Sequence, residues 1–338
     1  MKEHLFPTVG QFYKANLHAH TTVSDGKMTP EELKAAYLEK GYSIVAFTDH
    51  DVMVDHSELS DRSFLALRGY EIAVEDARQH EGDAPFCHLS LIAESTQAER
   101  QVFFTKNIAF HGNAAAFASS VLTTGEPIYS YRYSPVFINR LIRAARAAGF
   151  LAILNHPSYS LGTETDLLPL EGLFGMEIHN GASLSWGFGD DGSTVLYERM
   201  LRGGHTSLLP IAADDTHTSL SCAAPGELFA GFMMIKAQTL SYPAVIAALK
   251  AGDCYASQGP QLLELSVEEG RLHVECSRVR EILYRTAGRG AMRRASADGL
   301  TSADFAVSAS SGYFRLELVD GEGRRAVTRA YPAARYGR

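Results

Sequence analysis

The 338-residue sequence has few of the features that mark membrane, disulfide-bonded or nucleic-acid-binding proteins. No apolar run approaches the length of a membrane span, so we expect no insertion into a bilayer. The four cysteines are scattered and show no Cys-x-x-Cys spacing. The first ten residues, MKEHLFPTVG, contain no apolar segment behind their lysine. Together these absences predict a cytoplasmic protein without a secretory leader.

Positive charge is also scarce. The sequence carries a net charge of -8, and its pI is about 5.9. Proteins bind phosphate backbones with clustered lysine and arginine, and no such cluster precedes the C-terminal region. We therefore expect no extended nucleic-acid binding. A small anionic substrate would need a local positive site, which bound metal ions could supply.

The sequence does contain a short histidine-rich segment, NLHAHTTVSDG, at residues 16–26. Its first part has the length and alternation of a strand, and alternate side chains of a strand lie on the same face. His18 and His20 should therefore share one face. Two imidazoles on one face are typical of a metal site, although a His-x-His triplet also arises by chance among thirteen histidines.

Other apolar segments also end on polar residues. The segments 43–47, 64–67, 150–154 and 208–213 run into the motifs TDHD, RGYE, NHP and DDTH. Helical segments lie between them, one beginning at Thr29 with a capping-box pattern and another spanning 135–148. Strands that alternate with helices predict a mostly parallel sheet. In barrels of this type the active site lies at the C-terminal ends of the strands.

The predicted fold is an α/β barrel followed by a small β domain. Residues 1–260 would form the barrel, with an insertion at 94–134 that interrupts the alternation and is expected to pack over the strand ends as a lid. Residues 261–338 contain short alternating segments, which predict a β-sandwich-like domain. The apolar alternation within 314–318 needs a covering surface, from the barrel or from a second subunit, so a homo-oligomer is one predicted state.

Nine side chains of the types that bind metals lie at or near these strand ends. They are His18, His20, Asp25, His50, Glu71, His88, His156, Asp215 and His217. Six imidazoles and three carboxylates exceed the needs of one ion. They fit a cluster of two or three ions, with carboxylates able to bridge.

In this ordered set of motifs the sequence resembles the polymerase and histidinol phosphatase (PHP) superfamily. The resemblance lies in HAHTTVSDG, FTDHD, GYEI with the following HLSLIA, NHP and DTH, and it spans residues 16–217. It implies a distorted seven-stranded β/α barrel, similar to a TIM barrel, that holds a trinuclear metal centre. It also implies that the protein acts as a phosphoesterase, as most members do.

The resemblance further implies which ligands share an ion. The first ion would be held by His18, His20, Glu71 and Asp215. The second would be held by Glu71, His88 and His156. The third would be held by Asp25, His50 and His217. The expected cofactors are therefore two to three divalent ions, Mn, Fe or Zn. Some members carry histidine where this chain has Asp25, which affects the preferred metal. His80 lies near His88 in the sequence.

Other polar residues are candidates for roles around the ions. The candidate catalytic residues are Glu71, Asp215 and His179. The candidate contacts to a substrate phosphate are Arg132, Arg68 and Lys27. Asp49 and Asp51 flank His50 and are expected to orient metal-bound imidazoles. The remaining histidines, His111 among them, are expected at the surface or in the core.

Three functions are compatible with these residues. The first is a metal-dependent phosphoesterase that hydrolyses a small phosphate ester, a phosphomonoester or a nucleotide, by a hydroxide that bridges two ions. The second is a carbamate or amide-type ester hydrolase that uses the same ions. The third is a non-catalytic ligand-binding protein. The complete ligand set favours the first function, and a small phosphorylated molecule is then the expected partner.

Overall fold

The structure is a computed structural model that describes residues 2–75, 85–104, 110–124 and 132–338. The fold is mixed α/β and rich in sheet. The strands are β1 Glu3–His4, β2 Gln11–Asn16, β3 Ile44–Phe47, β4 Leu65–Val74, β5 Cys87–Ala93, β6 Gln101–Val102, β7 Thr123–Thr124, β8 Phe150–Leu154, β9 Gly175–Asn180, β10 Leu209–Ala213, β11 Phe232–Ala237, β12 Cys254–Ser257, β13 Leu262–Glu268, β14 Arg271–Thr286, β15 Met292–Ala306, β16 Tyr313–Val319, β17 Arg325–Thr328 and β18 Tyr331–Pro332. The helices are α1 Pro30–Glu39, α2 Pro135–Ala147, α3 Glu164–Leu167, α4 Gly181–Ser185, α5 Asp190–Arg202, α6 Tyr242–Ala251 and α7 Ala333–Tyr336.

Within the described residues, sixteen strands join in one hydrogen-bonded sheet. The order along its main path is β1-β13-β14-β16-β17-β12-β11-β2-β3-β4-β5-β8-β9-β10, with β15 paired to β14 and β18 paired to β16. β6 and β7 form a separate parallel pair.

The run from β2 to β10 carries the candidate site. Its neighbouring strands are parallel except at the β4–β5 and β5–β8 pairs. The strands β3, β5, β8, β9 and β10 are buried at every position. Such continuous burial is expected for strands that are covered on both faces.

A closed seven-stranded barrel is not confirmed. In the part of the chain that the structure describes, the path ends at β10, which forms no ladder with β2. The two strands meet only beyond their ends, where Ala19 and Thr216 form a single parallel bridge. The reason is that β11 pairs antiparallel with β2, on the edge that β10 would need. The sheet is therefore curled and open.

The C-terminal strands continue the same sheet and are antiparallel. β12 pairs with β17, and β1 pairs with β13, so hydrogen bonds cross the predicted domain boundary at residue 260. The buried apolar side chains nevertheless form separate clusters, a large one around β2 to β10 and another that includes Leu265, Ile282 and Phe314. The division into two domains stays a prediction.

Both helices predicted above are confirmed. In α1, Oγ1 of Thr29 accepts from the amide of Glu32 at 3.2 Å, and Oε2 of Glu32 accepts from the amide of Thr29 at 2.9 Å. This is the predicted capping box. The helix predicted at 135–148 is α2, which is capped by the side chain of Ser134. No helix of the described residues is long and apolar enough to span a membrane.

The predicted insertion at 94–134 is described only in part, because 105–109 and 125–131 lie outside the described residues. The aromatic residues Tyr129 and Tyr131, expected to belong to the lid, are among those not described.

The described part of the insertion packs beside the loop that follows β2. The amide of Asn113 donates to the carbonyl of Ser24 at 2.7 Å. Gly112 lies so close that a Cβ atom there would be 2.2 Å from the same oxygen. Ala114 packs with Val23 and Val52 in a small apolar cluster. The insertion thus lies next to the strand ends, and its function as a lid stays a prediction.

Candidate metal centre

The candidate centre lies at one edge of the curled strands, beside the C-terminal ends of the parallel strands and the N-terminal end of the antiparallel β5, which carries His88. His18 and His20 follow β2, Glu71 lies in β4, and Asp215 follows β10. Two backbone hydrogen bonds hold the ends of β2 and β10 together. The amide of Asp215 donates to the carbonyl of His18 at 3.0 Å, and the amide of His20 donates to the carbonyl of Thr216 at 3.1 Å. The ends of β2 and β10 therefore meet at one place although the sheet is open.

The four side chains predicted to share the first ion face one point. Nε2 of His18 and Nε2 of His20 are 3.0 Å apart. Oδ1 of Asp215 lies 3.2 Å from the first nitrogen and 3.1 Å from the second. The two carboxylate oxygens of Glu71 lie 3.3 and 3.4 Å from the same nitrogens. All four side chains are buried.

Three further histidines surround Glu71. Nδ1 of His88 lies 3.2 Å from Oε1, and Nε2 of His156 lies 3.6 Å from the same oxygen. Nδ1 of His50 lies 3.0 Å from Oε2. His50 was expected at the third ion, yet it is nearer to Glu71 than His156 is. The geometry accordingly groups His50, Glu71 and His88 as one candidate ion site.

Asp25 and His217 complete the cluster. Oδ1 of Asp25 lies 3.5 Å from Nε2 of His217 and 3.7 Å from Nδ1 of His20. Its Oδ2 lies 3.9 Å from Nε2 of His50. These four residues form another candidate ion site. His20 and His50 thus each present one ring nitrogen to each of two neighbouring groups, so which ion each would bind stays a prediction.

The turn that returns Asp25 to the cluster needs a glycine. A Cβ atom at Gly26 would lie 2.4 Å from the carbonyl oxygen of His20, which is closer than van der Waals contact permits. Nearby, three residues other than glycine adopt left-handed backbone angles: Asp51 at φ 67°, His156 at φ 27° and Asp215 at φ 56°. Such conformations cost about 1–3 kcal/mol each and concentrate at functional sites.

Two carboxylate oxygens indicate that the cluster fits metal ions. Oε2 of Glu71 and Oδ1 of Asp215 are buried, and no described residue donates a hydrogen bond to either with proper geometry. Imidazole nitrogens nevertheless lie 3.0–3.4 Å from them. A buried acceptor without a donor costs about 1–3 kcal/mol. Divalent ions shared by these nitrogens and oxygens would remove that cost.

Carboxylate charge dominates the electrostatics of the cluster. Burial opposes protonation of His18 and His20, but Asp215 and Glu71 outweigh it. The pKa of His18 therefore lies well above its usual value, and the pKa of His20 is raised to about 10. Burial also opposes protonation of His88, whose pKa Glu71 raises to about 9. Protons thus neutralise the carboxylates when no ion is bound, and metal binding must displace them.

Glu177 orients two of the histidines, and the sequence did not reveal this role. Its Oε1 lies 2.8 Å from Nδ1 of His18. Its Oε2 accepts from the backbone amide of His156 at 2.7 Å and from Nδ2 of Asn180 at 2.8 Å. A carboxylate on the far nitrogen of a ligand histidine fixes its tautomer and its ring orientation. The available signal was a charged residue inside the apolar strand β9.

Two asparagines hold the carboxylates. Nδ2 of Asn155 donates to Oε1 of Glu71 at 2.5 Å and to Oγ of Ser90 at 2.9 Å. Nδ2 of Asn180 also donates to Oδ2 of Asp215, at 3.1 Å. Each carboxylate that lacks a donor on one oxygen is therefore fixed through the other.

Asp49 and Asp51 have partners other than the imidazoles of predicted ligands. Asp49 accepts from the amide of Thr21 at 2.7 Å and from Oγ of Ser24 at 2.8 Å, so it fixes the loop after β2. Oδ2 of Asp51 lies 3.0 Å from Nδ1 of His111.

His111 belongs to the surroundings of the centre. Its ring stacks on that of His50 with 4.2 Å between centroids. We expected His111 at the surface or in the core because it lies in the insertion, where no strand-end pattern marks it.

The centre opens into a cavity of about 330 Å³. The lining combines seven of the predicted ligands with Glu75, Phe86, His111, Tyr159 and Trp186. Four of the lining residues are carboxylates, and none of those described is lysine or arginine. An anionic group that entered this cavity would therefore depend on bound cations for its attraction.

The three predicted phosphate contacts do not line the described cavity. Arg68 forms an ion pair with Asp55, and its Nη1 donates to the carbonyl of Ala98 at 2.8 Å. Lys27 and Arg132 are exposed. The role of these three residues in substrate binding stays a prediction.

His179 is buried and packs toward the C-terminal strands. Its Nδ1 lies 2.7 Å from Nε2 of Gln258. A Cβ atom at Gly231 would lie 2.3 Å from Cδ2 of the ring. His179 is not among the described residues of the cavity wall, and its catalytic role stays a prediction.

Three solved structures are similar to this chain at low identity. A two-domain protein from Bacteroides vulgatus that contains a predicted PHP-like metal-dependent phosphoesterase is 14% identical with a TM-score of 0.46, over 97% of this chain and 98% of that one. An amidohydrolase from Chromobacterium violaceum, with bound sulfate and no metal, is 16% identical with a TM-score of 0.40, over 61% and 88%. A candidate metal-dependent phosphoesterase from Bifidobacterium adolescentis is 19% identical with a TM-score of 0.39, over 63% and 89%. At these scores the three structures assign no activity to this chain.

No match was found among curated protein sequences. Residues 16–110 match the family model of the PHP domain. This segment contains the first six predicted ligands, from His18 to His88, and the first three motifs of the resemblance. The resemblance to the PHP superfamily is therefore confirmed over residues 16–110.

Proposed function

We propose that the protein is a metal-dependent hydrolase that cleaves a small phosphate ester, a phosphomonoester or a nucleotide, at a centre of two or three divalent ions. One observation carries the proposal. The predicted imidazoles and carboxylates converge at the strand ends, while Oε2 of Glu71 and Oδ1 of Asp215 are buried without a hydrogen-bond donor among the described residues. Buried carboxylate oxygens of this kind are stable only beside compensating positive charge.

Divalent ions held there would lower the pKa of a coordinated water and offset the negative charge of a phosphoryl group. Mixed imidazole and carboxylate ligands suit Mn, Fe or Zn. The chain itself positions the side chains that would hold the ions. Glu177 fixes the ring of His18, while Asn155 and Asn180 fix the carboxylates of Glu71 and Asp215.

The dimensions and charge of the cavity support a small substrate. Its volume of about 330 Å³ lies at the lower end of the usual range for small-molecule sites, roughly 300–1,000 Å³. The net charge of -8 disfavours an extended polyanion. Because no described lysine or arginine lines the cavity, a phosphate group would be held mainly by the ions.

A carbamate or amide-type ester hydrolase on the same centre is the second candidate. The aromatic side chains of Phe86, Tyr159 and Trp186 in the lining favour it, together with the lack of a described basic residue there. A neutral carbonyl substrate needs no basic contact, whereas metal ions can polarise its carbonyl group.

Assays of the metal-reconstituted full chain separate these functions. Phosphomonoesters, nucleotides, phosphodiesters and carbamate or amide esters should be compared under the same conditions. We expect phosphate release by the native protein and its loss, together with bound metal, in Glu71→Gln. The control is Glu39→Gln, since Glu39 is exposed on α1. Turnover of carbonyl esters alone would establish the second candidate, and no turnover at full metal content would favour a ligand-binding protein.

A further inference from the structure

Aromatic rings are exposed at the edge of the cavity. The ring centroid of Tyr159 lies 5.1 Å from that of Trp186, 5.1 Å from that of Phe188 and 5.5 Å from that of Phe86. Trp186 is 47% exposed and Phe188 is 36% exposed, although aromatic side chains of this size are usually covered. We call Tyr159, Trp186 and Phe188 the aromatic platform. It is an uncovered apolar surface formed by touching rings.

The aromatic platform is continuous with the candidate metal centre. The ring of Tyr159 lies 5.4 Å from that of His156, and the ring of Trp186 lies 6.0 Å from that of His217, between centroids. Tyr159 and Trp186 also line the same cavity as the predicted ligands. A molecule bound at the centre would therefore lie next to the platform.

Hydrogen bonds connect Trp186 to the candidate metal centre. Asn180, which donates to Asp215, also caps α4 by accepting from the amide of Ser183 at 2.8 Å. Trp186 directly follows the last residue of α4, and its amide donates to the carbonyl of Ala182 at 3.0 Å. One asparagine thus links the carboxylate of the centre to the helix that presents the ring.

Tyr159 is held in a similar way. It lies in the turn that follows His156, where the amide of Ser160 donates to the carbonyl of His156 at 3.0 Å. Oγ of Ser160 also lies 3.0 Å from Nδ1 of the same histidine. The backbone segments that carry the two rings are therefore tied to predicted ligands before any substrate binds, which reduces the entropy that binding costs.

Charge restricts what the platform can accept. The described cavity wall has four carboxylates and no lysine or arginine, so it offers no basic side chain to an anionic group beside the rings. Aromatic faces bind other planar rings by stacking and by edge contacts. A flat, uncharged ring matches both the shape and the charge of the platform.

We propose that the aromatic platform is a subsite for a planar aromatic ring joined to the ester group of the substrate. The substrates are then ring-bearing esters, and purely aliphatic esters bind more weakly. The inference rests on the proposed function, because it places the ester group at the candidate metal centre.

Phosphonates test the subsite separately from catalysis, since their carbon–phosphorus bond is not cleaved by ester hydrolysis. Phenylphosphonate, cyclohexylphosphonate and methylphosphonate should be titrated into the metal-loaded full chain by calorimetry. Trp186 is the single tryptophan of the sequence, so its fluorescence reports contact with the ring directly. Phe188→Ala keeps the tryptophan reporter. Trp186→Phe keeps an aromatic ring at position 186, and Trp186→Ala removes the ring. Leu263→Ala is the control, because Leu263 is exposed on β13.

We expect phenylphosphonate to bind about three- to tenfold more tightly than the other two phosphonates, as one stacked ring pair would provide. The preference should fall below about twofold in Trp186→Ala, weaken in Phe188→Ala and persist in Trp186→Phe and in the control. Only phenylphosphonate should shift the tryptophan emission.

Equal binding of the three phosphonates by the native protein would overturn the inference while leaving the proposed function in place. An unchanged phenyl preference in Trp186→Ala would overturn it too. If Trp186→Ala converted a dimer to a monomer without changing that preference, the platform would be a contact between two copies and not a subsite. Failure to bind any phosphonate, with no ester hydrolysed, would remove the proposed function and the inference together.

Discussion

Oε1 of Glu177 lies 2.8 Å from Nδ1 of His18, while Nε2 of the same ring faces Asp215 and His20. The histidine is therefore held from behind by one carboxylate and turned toward the candidate ions. With Nδ1 carrying the proton that Glu177 accepts, Nε2 is left free to bind a metal.

Replacing Glu177 with glutamine should weaken metal binding without unfolding the protein. The glutamine amide has one neutral acceptor oxygen, so it cannot accept hydrogen bonds from both the ring of His18 and the backbone amide of His156. The ring of His18 therefore loses its fixed orientation. We expect metal affinity to fall about 10- to 100-fold. Equilibrium dialysis with elemental analysis measures this, and Glu39→Gln serves as the exposed control. Unchanged affinity in Glu177→Gln would show that His18 needs no such partner.

Metal affinity should rise with pH between about 6.5 and 10. The pKa of His20 is raised to about 10 and that of His88 to about 9, so both rings carry protons at neutral pH in the metal-free protein. Each proton that metal displaces changes the apparent affinity about tenfold per pH unit. Calorimetry in buffers of different ionisation enthalpy measures the protons released. Release of none at pH 7.5 would contradict the raised pKa values.

The same shifts determine how the stability of the metal-free protein depends on pH. A histidine whose pKa is raised on folding contributes stability that is complete below its unfolded value of about 6.5 and is lost as pH rises through the folded value. The free energy of unfolding should therefore fall between about pH 7 and 10 after chelation. The metal-loaded protein should lack this contribution, because its histidines are already neutral. Urea unfolding at several pH values compares the two forms.

Thr29→Ala should lower the free energy of unfolding by about 1 kcal/mol, because it removes one acceptor of the capping box at the start of α1. Metal content should not change, since none of the predicted ligands lies in α1. Urea unfolding and elemental analysis of the same samples check both statements. Thr29→Ser keeps a hydroxyl acceptor and should retain most of the stability.

Arg315→Met should destabilise the protein by up to about 3–5 kcal/mol, because it removes the buried partner of two carboxylates whose remaining partners are more exposed arginines. Nη1 of Arg315 lies 2.7 Å from Oε1 of Glu317, and Nη2 lies 2.7 Å from Oε2 of Glu198 in α5. Adding Glu198→Gln should restore part of the loss, because the effects of substitutions at residues in contact on the free energy of unfolding are not additive. Arg280→Met at an exposed ion pair is the control, for which about 1 kcal/mol or less is expected. Equal losses from Arg315→Met and Arg280→Met would show that the buried network stabilises the protein no more than an exposed ion pair does.

The sequence predicted those residues of the centre that can be recognised from their immediate neighbours in the chain. His18, His20 and Asp215 could be named because polar residues directly after buried strands are unusual and share one edge. The turn to Asp25 could be expected because glycine follows it. Glu177 could not, since its role depends on a contact with His18 that joins β9 to the end of β2.

The features that the sequence did not reveal depend on contacts between distant parts of the chain. The closed barrel was expected from the family resemblance, but the edge of β2 that β10 would need is occupied by β11, which lies far along the chain. The ion pair of Arg68 with Asp55 likewise could not be foreseen from the sequence. His111 was overlooked because it approaches His50 from a loop, where periodicity carries no information.

The pairing of β1 with β13 has a consequence for the order of folding. Glu3 lies opposite Val267, so β1 has no partner in the sheet until synthesis has passed residue 267. Contacts between such distant residues form slowly, because a long loop must close first. The sheet around the candidate centre can therefore form while the N-terminal residues are still unpaired. Docking of β1 is expected among the last steps of folding, so an N-terminal extension would delay completion of the fold more than assembly of the metal ligands.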